Sequence, residues 1–163
     1  MPRSDDEIRT IIDKLRASDE LGGVGPTEAQ LRALLRRPDN GPVQMVNLLK
    51  FRDRACYPTG HPLAGEAGGS GAEAYARYGA VASRKIVEYG GRIVLVATAE
   101  QIVIGDAPEW DQTVVVEYPT RAAFVDMILD AEYQTAHPHR LAGLERTVII
   151  ATTPLIDASR RTT

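Results

Sequence analysis

A histidine pair near the C-terminus is the first place in this sequence where chemistry is expected. His137 and His139 flank Pro138, and Arg140 follows directly. An imidazole titrates near neutral pH, so either histidine is a candidate general acid or base. A neighbouring arginine would hold an anion through its forked N–H donors. We therefore predict catalytic roles for His139 and His137 and a ligand-binding role for Arg140.

The same histidines also invite a metal interpretation, which the sequence does not favour. A zinc site needs three or four donors, and only His61, Cys56 and nearby carboxylates remain to complete one. The proline between the two imidazoles also makes the local backbone irregular. We predict no metal site. Surface or helix-capping roles for the histidines stay open beside the catalytic one.

A second group of polar residues lies in and after an apolar run at residues 42–57, PVQMVNLLKFRDRACY. The run is typical of a strand buried on both faces, yet it carries Asn47 and Lys50, and Arg52 follows. A buried amide costs about 1–3 kcal/mol if it is unpaired, so Asn47 needs partners, either structural or on a ligand. Lys50 and Arg52 share one side of the strand. They would bind a carboxylate ligand or pair with acidic residues of the protein.

Capping and periodicity predict the elements that must position these residues. Three capping boxes, beginning at Ser4, Thr27 and Ser70, start amphipathic helices, and the last helix runs to Tyr89 before a Gly-Gly pair. Apolar runs bounded by turn residues predict the strands. The predicted strands are 43–51, 92–105, 111–118 and 145–152, and an interruption of the second strand near Glu100 stays open. A helix covers 120–131, a short helix or turn covers 132–143, and the tail from 156 frays.

From residue 41 the order is βαββαβ, which is typical of a ferredoxin-like α+β fold with a four-stranded antiparallel sheet. A right-handed crossover then brings the connections 52–69, 105–110 and 131–144 to one rim of the sheet. All three histidines and the only tryptophan fall on this rim. We predict a site there, with Asp111 as a catalytic carboxylate or a turn cap, and with ligand contacts from Asn47, Lys50, Arg52, Tyr57, Trp110, Tyr133 and Arg140.

Composition narrows the class of protein. The chain has 163 residues, a net charge of −3 and no dense basic run, which argues against nucleic-acid binding. One cysteine fits a reducing compartment, and no apolar run reaches the length of a membrane span, so we predict a cytoplasmic protein that does not bind membranes. Walker, Rossmann and zinc-knuckle patterns are missing from the sequence, which predicts no cofactor.

The pattern also predicts the domains and a partner. Residues 1–40 form an N-terminal helical extension, 41–155 the ferredoxin-like domain, and 156–163 a polar tail. Helices on one face of a sheet leave the other apolar face uncovered, which predicts a homodimer through that open face. The N-terminal helices need a surface to cover, either on their own domain or on the partner subunit.

Several blocks resemble one known family. They are GPVQMVNLLKFRDRACYPTG, EAYARYG, GGRIV, WDQTVVVEYPTRAAFVDM and AEYQTAHPHRLAGLERTVII. They resemble the DUF1330 family, uncharacterised proteins of the dimeric α+β barrel superfamily. The resemblance covers about residues 41–152 and implies a sheet that packs on a second copy to form a barrel. The signature residues it implies here are Asn47, Tyr75 or Tyr78, Gly90, Gly91, Tyr133, Gln134 and Arg140, and it carries no mechanism.

Two function classes follow. In the first, the protein is a small cofactor-independent enzyme, an isomerase or monooxygenase-like catalyst, acting on a compact organic acid. His139 or His137 would move the proton, and Arg140 with Arg52 would hold the anion. In the second, it is a non-catalytic dimeric binding or stress-related module, and the polar rim is loop and interface architecture.

Overall fold

A computed structural model of the protein describes residues 3–18, 21–38 and 41–156. All three predicted capping boxes are present, each with its serine or threonine hydroxyl accepting from the N3 amide and its N3 side chain reaching back. The predicted frayed tail, apart from its first residue, lies outside the described residues. The elements are α1 Asp5–Ala17, α2 Glu28–Arg36, β1 Val43–Phe51, a 3-10 turn Gly65–Gly68, α3 Gly71–Glu88, β2 Arg92–Thr98, β3 Gln112–Tyr118, α4 Arg121–Ile128, α5 Ala131–Gly143 and β4 Leu144–Thr152.

The four strands form one antiparallel sheet in the order β2-β3-β1-β4. This is the ferredoxin-like order, so the predicted fold class is confirmed. Because directly paired residues of neighbouring strands share a face, the register defines rows across the sheet. On the face toward the helices one row is Val96, Val114, Asn47 and Ile149; on the open face another row is Leu95, Val115, Val46 and Ile150.

One predicted strand end is wrong, and one predicted segment is a longer helix than expected. The second strand ends at Thr98, close to the expected interruption near Glu100 and not at residue 105, because its pairing with β3 stops at Thr98 and Gln112; residues 99–111 form an irregular connection. The predicted short helix or turn at 132–143 is a helix of 13 residues, α5, whose N-cap Asp130 accepts from the amides of Glu132 and Tyr133. Pro138 lies inside this helix on its exposed side. Packing of α5 against α3 thus overrides the breaking effect of proline.

The N-terminal helices cover their own domain. Ile8, Ile12 and Leu15 of α1 and Leu31 of α2 are almost fully buried in one core with residues of β1, β3 and α4. Amphipathic helices gain most of their stability from such packing. No helix in the described part of the chain is both long enough and apolar enough to cross a membrane.

Helices α3 and α5 are fixed against each other at both ends. At one end, a Cβ at Gly71 would lie 2.6 Å from the Gly143 carbonyl oxygen, and a Cβ at Gly143 would lie 2.6 Å from that of Gly71. At the other end, the buried Lys85 ammonium contacts Asp130 at 3.2 Å and Glu132 at 2.8 Å. Backbone and side-chain donors, with the Tyr133 amide foremost, lower the pKa of Asp130 to about 2.

This crossing predicts opposite effects for two glycine-to-alanine substitutions. Gly143→Ala forces a methyl group against backbone atoms and should lower the free energy of unfolding by about 1–3 kcal/mol. Gly79→Ala is the control, because Gly79 lies inside α3 with nothing within 4 Å of its Cβ position. It should raise stability by up to about 1 kcal/mol, through helix propensity. Urea unfolding of both variants measures this; equal effects would contradict the close crossing.

Candidate functional site

A cavity of about 840 Å³ lies between the sheet and the helices. Its floor is the helix-side face of the sheet, where Asn47 lies among valine and isoleucine side chains. Helices α3 and α5 supply one wall, and residues 23–26 with α2 supply another. Pockets of this size enclose small organic ligands. The polar or aromatic residues that matter most here are Asn47, Phe51, Tyr75, Tyr78, Tyr133 and Arg140.

Arg140 carries the main positive charge of this cavity. Its side chain is 7% exposed, and its NH1 donates a hydrogen bond to the Val24 carbonyl oxygen at 2.8 Å. Among the described residues, no carboxylate forms an ion pair with Arg140. A buried charge without a counter-charge is costly. Within the described residues, the guanidinium of this cavity therefore has no counter-charge.

Aromatic side chains surround this charge. Tyr75 contacts Phe51 with ring centroids 5.4 Å apart and Tyr78 at 5.1 Å, and the Tyr78 and Tyr133 hydroxyls are hydrogen-bonded at 2.7 Å. Burial raises the pKa of Tyr75, and the phenol of Tyr78 adds to the rise while Arg140 opposes it. The Tyr75 phenol therefore stays protonated at neutral pH. No described residue accepts its hydroxyl hydrogen, so it is a donor available to a ligand.

Asn47 has a fixed amide orientation. Its Nδ2 donates to the carbonyl oxygens of Met45 at 2.9 Å and Val114 at 3.1 Å. The reverse orientation would place Oδ1 against two carbonyl oxygens, so the assignment of nitrogen and oxygen follows from the network. Nδ2 therefore has the structural partners expected of this amide, and Asn47 also lines the cavity.

The ionisable groups lining the cavity are few. Arg37 and Arg140 are the charged ones, and four tyrosines are the remaining titratable groups; the described lining contains no carboxylate, lysine, histidine or cysteine. An all-positive lining favours anions. It also means that the tyrosines are the only side chains there with a transferable proton.

Lys50 and Asp111 meet on the rim, but as each other's partners. Lys50 Nζ donates to Asp111 Oδ1 at 2.8 Å, and the Phe51 amide donates to Oδ2 at 2.8 Å. Burial would raise the pKa of Asp111, but these hydrogen bonds hold it below its ordinary value. Trp110, next in the chain, lies under the guanidinium of Arg146, 5.0 Å from the ring centroid. None of the three lines the cavity.

The predicted residues Tyr57 and His139 form a separate cluster on the rim. The Tyr57 hydroxyl lies 2.7 Å from His139 Nδ1, and Arg77 NH1 donates to the same hydroxyl at 3.3 Å. The His61 ring stacks on Tyr57 at 4.6 Å. Arg77 always donates, while His139 Nδ1 accepts from the Tyr57 hydroxyl in one tautomer and donates to it in the other. Burial, then Arg77 and His61, lower the pKa of His139, which keeps it neutral.

The remaining predicted residues are apart from these groups. His137 is 3% exposed within α5 and lies about 200° around the helix from His139, so the two rings do not converge. Arg52 holds the chain through its backbone, bonding the Gly143 oxygen and the Gly71 amide, while its buried Nε has no partner among the described residues. Within the described ranges, no three His, Cys, Asp or Glu side chains are grouped to hold a metal.

Sequence reasoning named three of the cavity's polar residues, Asn47, Tyr133 and Arg140, and treated two others as packing. Tyr75 and Tyr78 are three apart on α3, a spacing that places both on one helix face. That spacing is common in cores, so it could not identify a cavity. The Val24 carbonyl, which receives Arg140, had no sequence signal at all.

A family model described as a domain of unknown function, DUF1330, matches residues 70–154, just over half of the chain. The chain belongs to the DUF1330 family. This confirms the resemblance and leaves function open, since the description itself states none. The model's range includes both wall helices with Tyr75, Tyr78, Tyr133 and Arg140, and begins after β1 and the N-terminal helices.

Solved structures cover more of this DUF1330 chain. The crystal structure of the RPA0582 protein of unknown function from Rhodopseudomonas palustris is 35% identical, covers 84% of this chain and 100% of its own, and has a TM-score of 0.73. The crystal structure of methylated RPA0582 is 36% identical over 84% of this chain and 98% of its own, with a TM-score of 0.74. No curated protein matches the chain.

The rim cluster predicts a pH-dependent contribution to stability. Because its pKa in the folded protein lies below the ordinary value near 6.5, neutral His139 contributes stability above about pH 6.5. This contribution is lost as the pH falls from about 6.5 through the lowered pKa, because burial and the Arg77 charge disfavour the imidazolium. His139→Gln keeps a polar side chain that does not titrate, so between pH 8 and pH 5 its free energy of unfolding should fall less than that of the wild type. Denaturant unfolding of both proteins across this range would contradict the assignment if the difference stayed constant.

Proposed function

We propose that this DUF1330 protein binds a compact organic acid in the cavity between its sheet and helices. The observation that carries this is the buried Arg140 guanidinium, which lines the cavity and has a carbonyl, not a carboxylate, as its partner. A ligand carboxylate would supply the missing counter-charge and accept two parallel hydrogen bonds from the guanidinium. The Tyr75 hydroxyl is positioned to donate to the same anion.

The rest of the ligand should be apolar. Around Arg140 the lining is largely aliphatic and aromatic, with Met45, Val114 and Val116 on the floor and Ile86 on the helical wall. Each apolar group removed from water there contributes about 25 cal/mol per Å² buried. A single carboxylate on a hydrophobic body fits this wall better than a polyanion, because the cavity offers one buried cation.

Binding is the better-supported part of the expected enzyme-like function. His137, His139 and Asp111 do not line the cavity, and the described lining holds only tyrosines that could exchange a proton. Proton transfer by the histidines would require a ligand that also reaches the rim. A non-catalytic acid-binding module therefore accounts for the geometry with fewer requirements, and catalysis stays a prediction.

Arg140→Gln should test the counter-charge. The glutamine keeps a donor for Val24 but removes the charge, so phenylpropanoate should bind at least tenfold more weakly, about 1.4 kcal/mol. Arg37→Gln is the matched control, because Arg37 also lines the cavity but is exposed; it should change affinity less than about twofold, as a solvated charge contributes little. Isothermal titration calorimetry measures both.

A neutral ligand completes this test. Phenylpropanamide has nearly the same shape as phenylpropanoate without the charge, so it should bind weakly to the wild type and equally to Arg140→Gln. Equal binding of acid and amide to the wild type, or equal loss in both arginine variants, would refute the proposed anion site.

We also propose that a second copy of the chain covers the open face of the sheet. The row Leu95, Val115, Val46 and Ile150 crosses all four strands on that face, and its two outer members are 47% and 50% exposed. The β2–β3 connection adds Ile102, Val103 and Ile104, which are 41%, 78% and 92% exposed. An apolar surface of this extent is typical of an interface between subunits.

Ile150→Glu should dissociate such a dimer, because it buries a carboxylate in an apolar interface. The matched control is Val87→Glu, an equally drastic change at a position 69% exposed on α3 and remote from the open face. Light scattering at micromolar concentration should give twice the chain mass for the wild type and for Val87→Glu, and the monomer mass for Ile150→Glu. A monomeric wild type would exclude this interface.

A further inference from the structure

The side-chain oxygen of Asn47 narrows the class of ligand further than the charge of Arg140 does. Both Nδ2 hydrogens of Asn47 are used by the Met45 and Val114 carbonyls. In the described part of the chain, no donor reaches its Oδ1. An amide oxygen has two lone pairs, and a ligand that covered this oxygen without donating to it would leave the acceptor unmet, at a cost of about 1–3 kcal/mol.

Asn47 is also the exception in its row. The row Val96, Val114, Asn47 and Ile149 is otherwise aliphatic, and all four residues line the cavity. For a purely structural role, two hydrogen bonds to strand carbonyls would be enough, and Asn47 donates both of them from Nδ2. The oxygen is left to recognise a group that donates a hydrogen bond.

We infer that the ligand is an organic acid that also carries a hydroxyl group, with its carboxylate at Arg140 and its hydroxyl donating to Asn47 Oδ1. This inference rests on the proposed function, because it assumes that Arg140 binds the acid. A hydroxyl fits better than an ammonium group as the donor, since the described lining contains two arginines and no carboxylate to compensate a further positive charge.

The spacing of the two polar positions suits a ligand with a rigid body between them. Asn47 lies four residues before Phe51 on the same face of β1, roughly 13 Å between Cα atoms at about 3.3 Å per residue. The Tyr75 ring packs on the Phe51 ring, and the charge of Arg140 acts on the pKa of Tyr75, so Arg140 lies toward the Phe51 end of the strand. The acid end and the hydroxyl end of the ligand therefore occupy different levels of the cavity, with apolar floor between them.

Matched ligands test this inference on the wild type alone. Phenylpropanoate is compared by calorimetry with its ortho, meta and para hydroxy derivatives and with the corresponding methoxy compounds, which keep the oxygen but lack the donor. At least one hydroxy isomer should bind about tenfold more tightly than both phenylpropanoate and its own methoxy counterpart. If no hydroxy isomer exceeds phenylpropanoate, the inference is overturned.

The variant Asn47→Leu tests whether Asn47 causes the preference for a hydroxy acid. This variant should bind the hydroxy acid no more tightly than phenylpropanoate, a comparison made within the variant, and circular dichroism with urea unfolding checks that it folds. A preference that survives in Asn47→Leu overturns the inference even where acids bind. Failure of every acid to bind the wild type, or binding that ignores Arg140→Gln, overturns the proposed function and the inference together.

Discussion

The close crossing of α3 and α5 at two glycines is the constraint on which the rest of the structure depends. With Gly71 and Gly143 in backbone contact at one end and Lys85 paired with Asp130 and Glu132 at the other, the two helices form a rigid pair. The phenols of Tyr75, Tyr78 and Tyr133 and the guanidinium of Arg140 all come from this pair. A charge and three phenols can be held at the edge of an apolar space only if their helices cannot shift to solvate them.

The rigid helix pair explains how the cavity side chains are held in place, but not why the protein keeps a buried charge that lowers its stability. Arg140 is buried with one carbonyl as partner, which an optimally stable protein would replace by an apolar residue or pair with a carboxylate. The carbonyl belongs to Val24, in the segment between the N-terminal helices, so the guanidinium also ties that segment over the cavity. That segment precedes the range of the family model. Selectivity could therefore differ between relatives that share the two wall helices.

Much of the fold could be predicted from the sequence, because its signals are local. The capping boxes fix three helix starts, and the alternation of helices and strands allows few topologies. The errors occurred where tertiary contacts decide: β2 stops where its partner strand stops, and α5 continues through Pro138 because α3 packs along it. The polar interruption near Glu100 is the local signal for the first outcome, and the second has no such signal within its own segment.

The sequence allowed us to predict which residues take part in polar sites, but not which of them lie together. The rim prediction brought together Tyr57 and His139, and Lys50 and Asp111, yet each pair satisfies itself, and that is visible only from distances. Asn47 and Arg140 were proposed on separate grounds and line the same cavity. The two sets of residues differ in whether their hydrogen-bond donors and acceptors already have partners. The rim residues bond to each other, so they stabilise the fold.

Three groups of the cavity have hydrogen-bonding positions that no described residue fills, and each group lies on a different element. They are Asn47 Oδ1 on β1, the Tyr75 hydroxyl on α3 and the Arg140 guanidinium on α5. An acid that met all three would connect the sheet to both helices and, through Val24, to the N-terminal segment. Its binding energy would then add to the stability of the fold in proportion to its occupancy. The same buried groups that cost the free protein stability would stabilise the complex, which is the physical reason for retaining them.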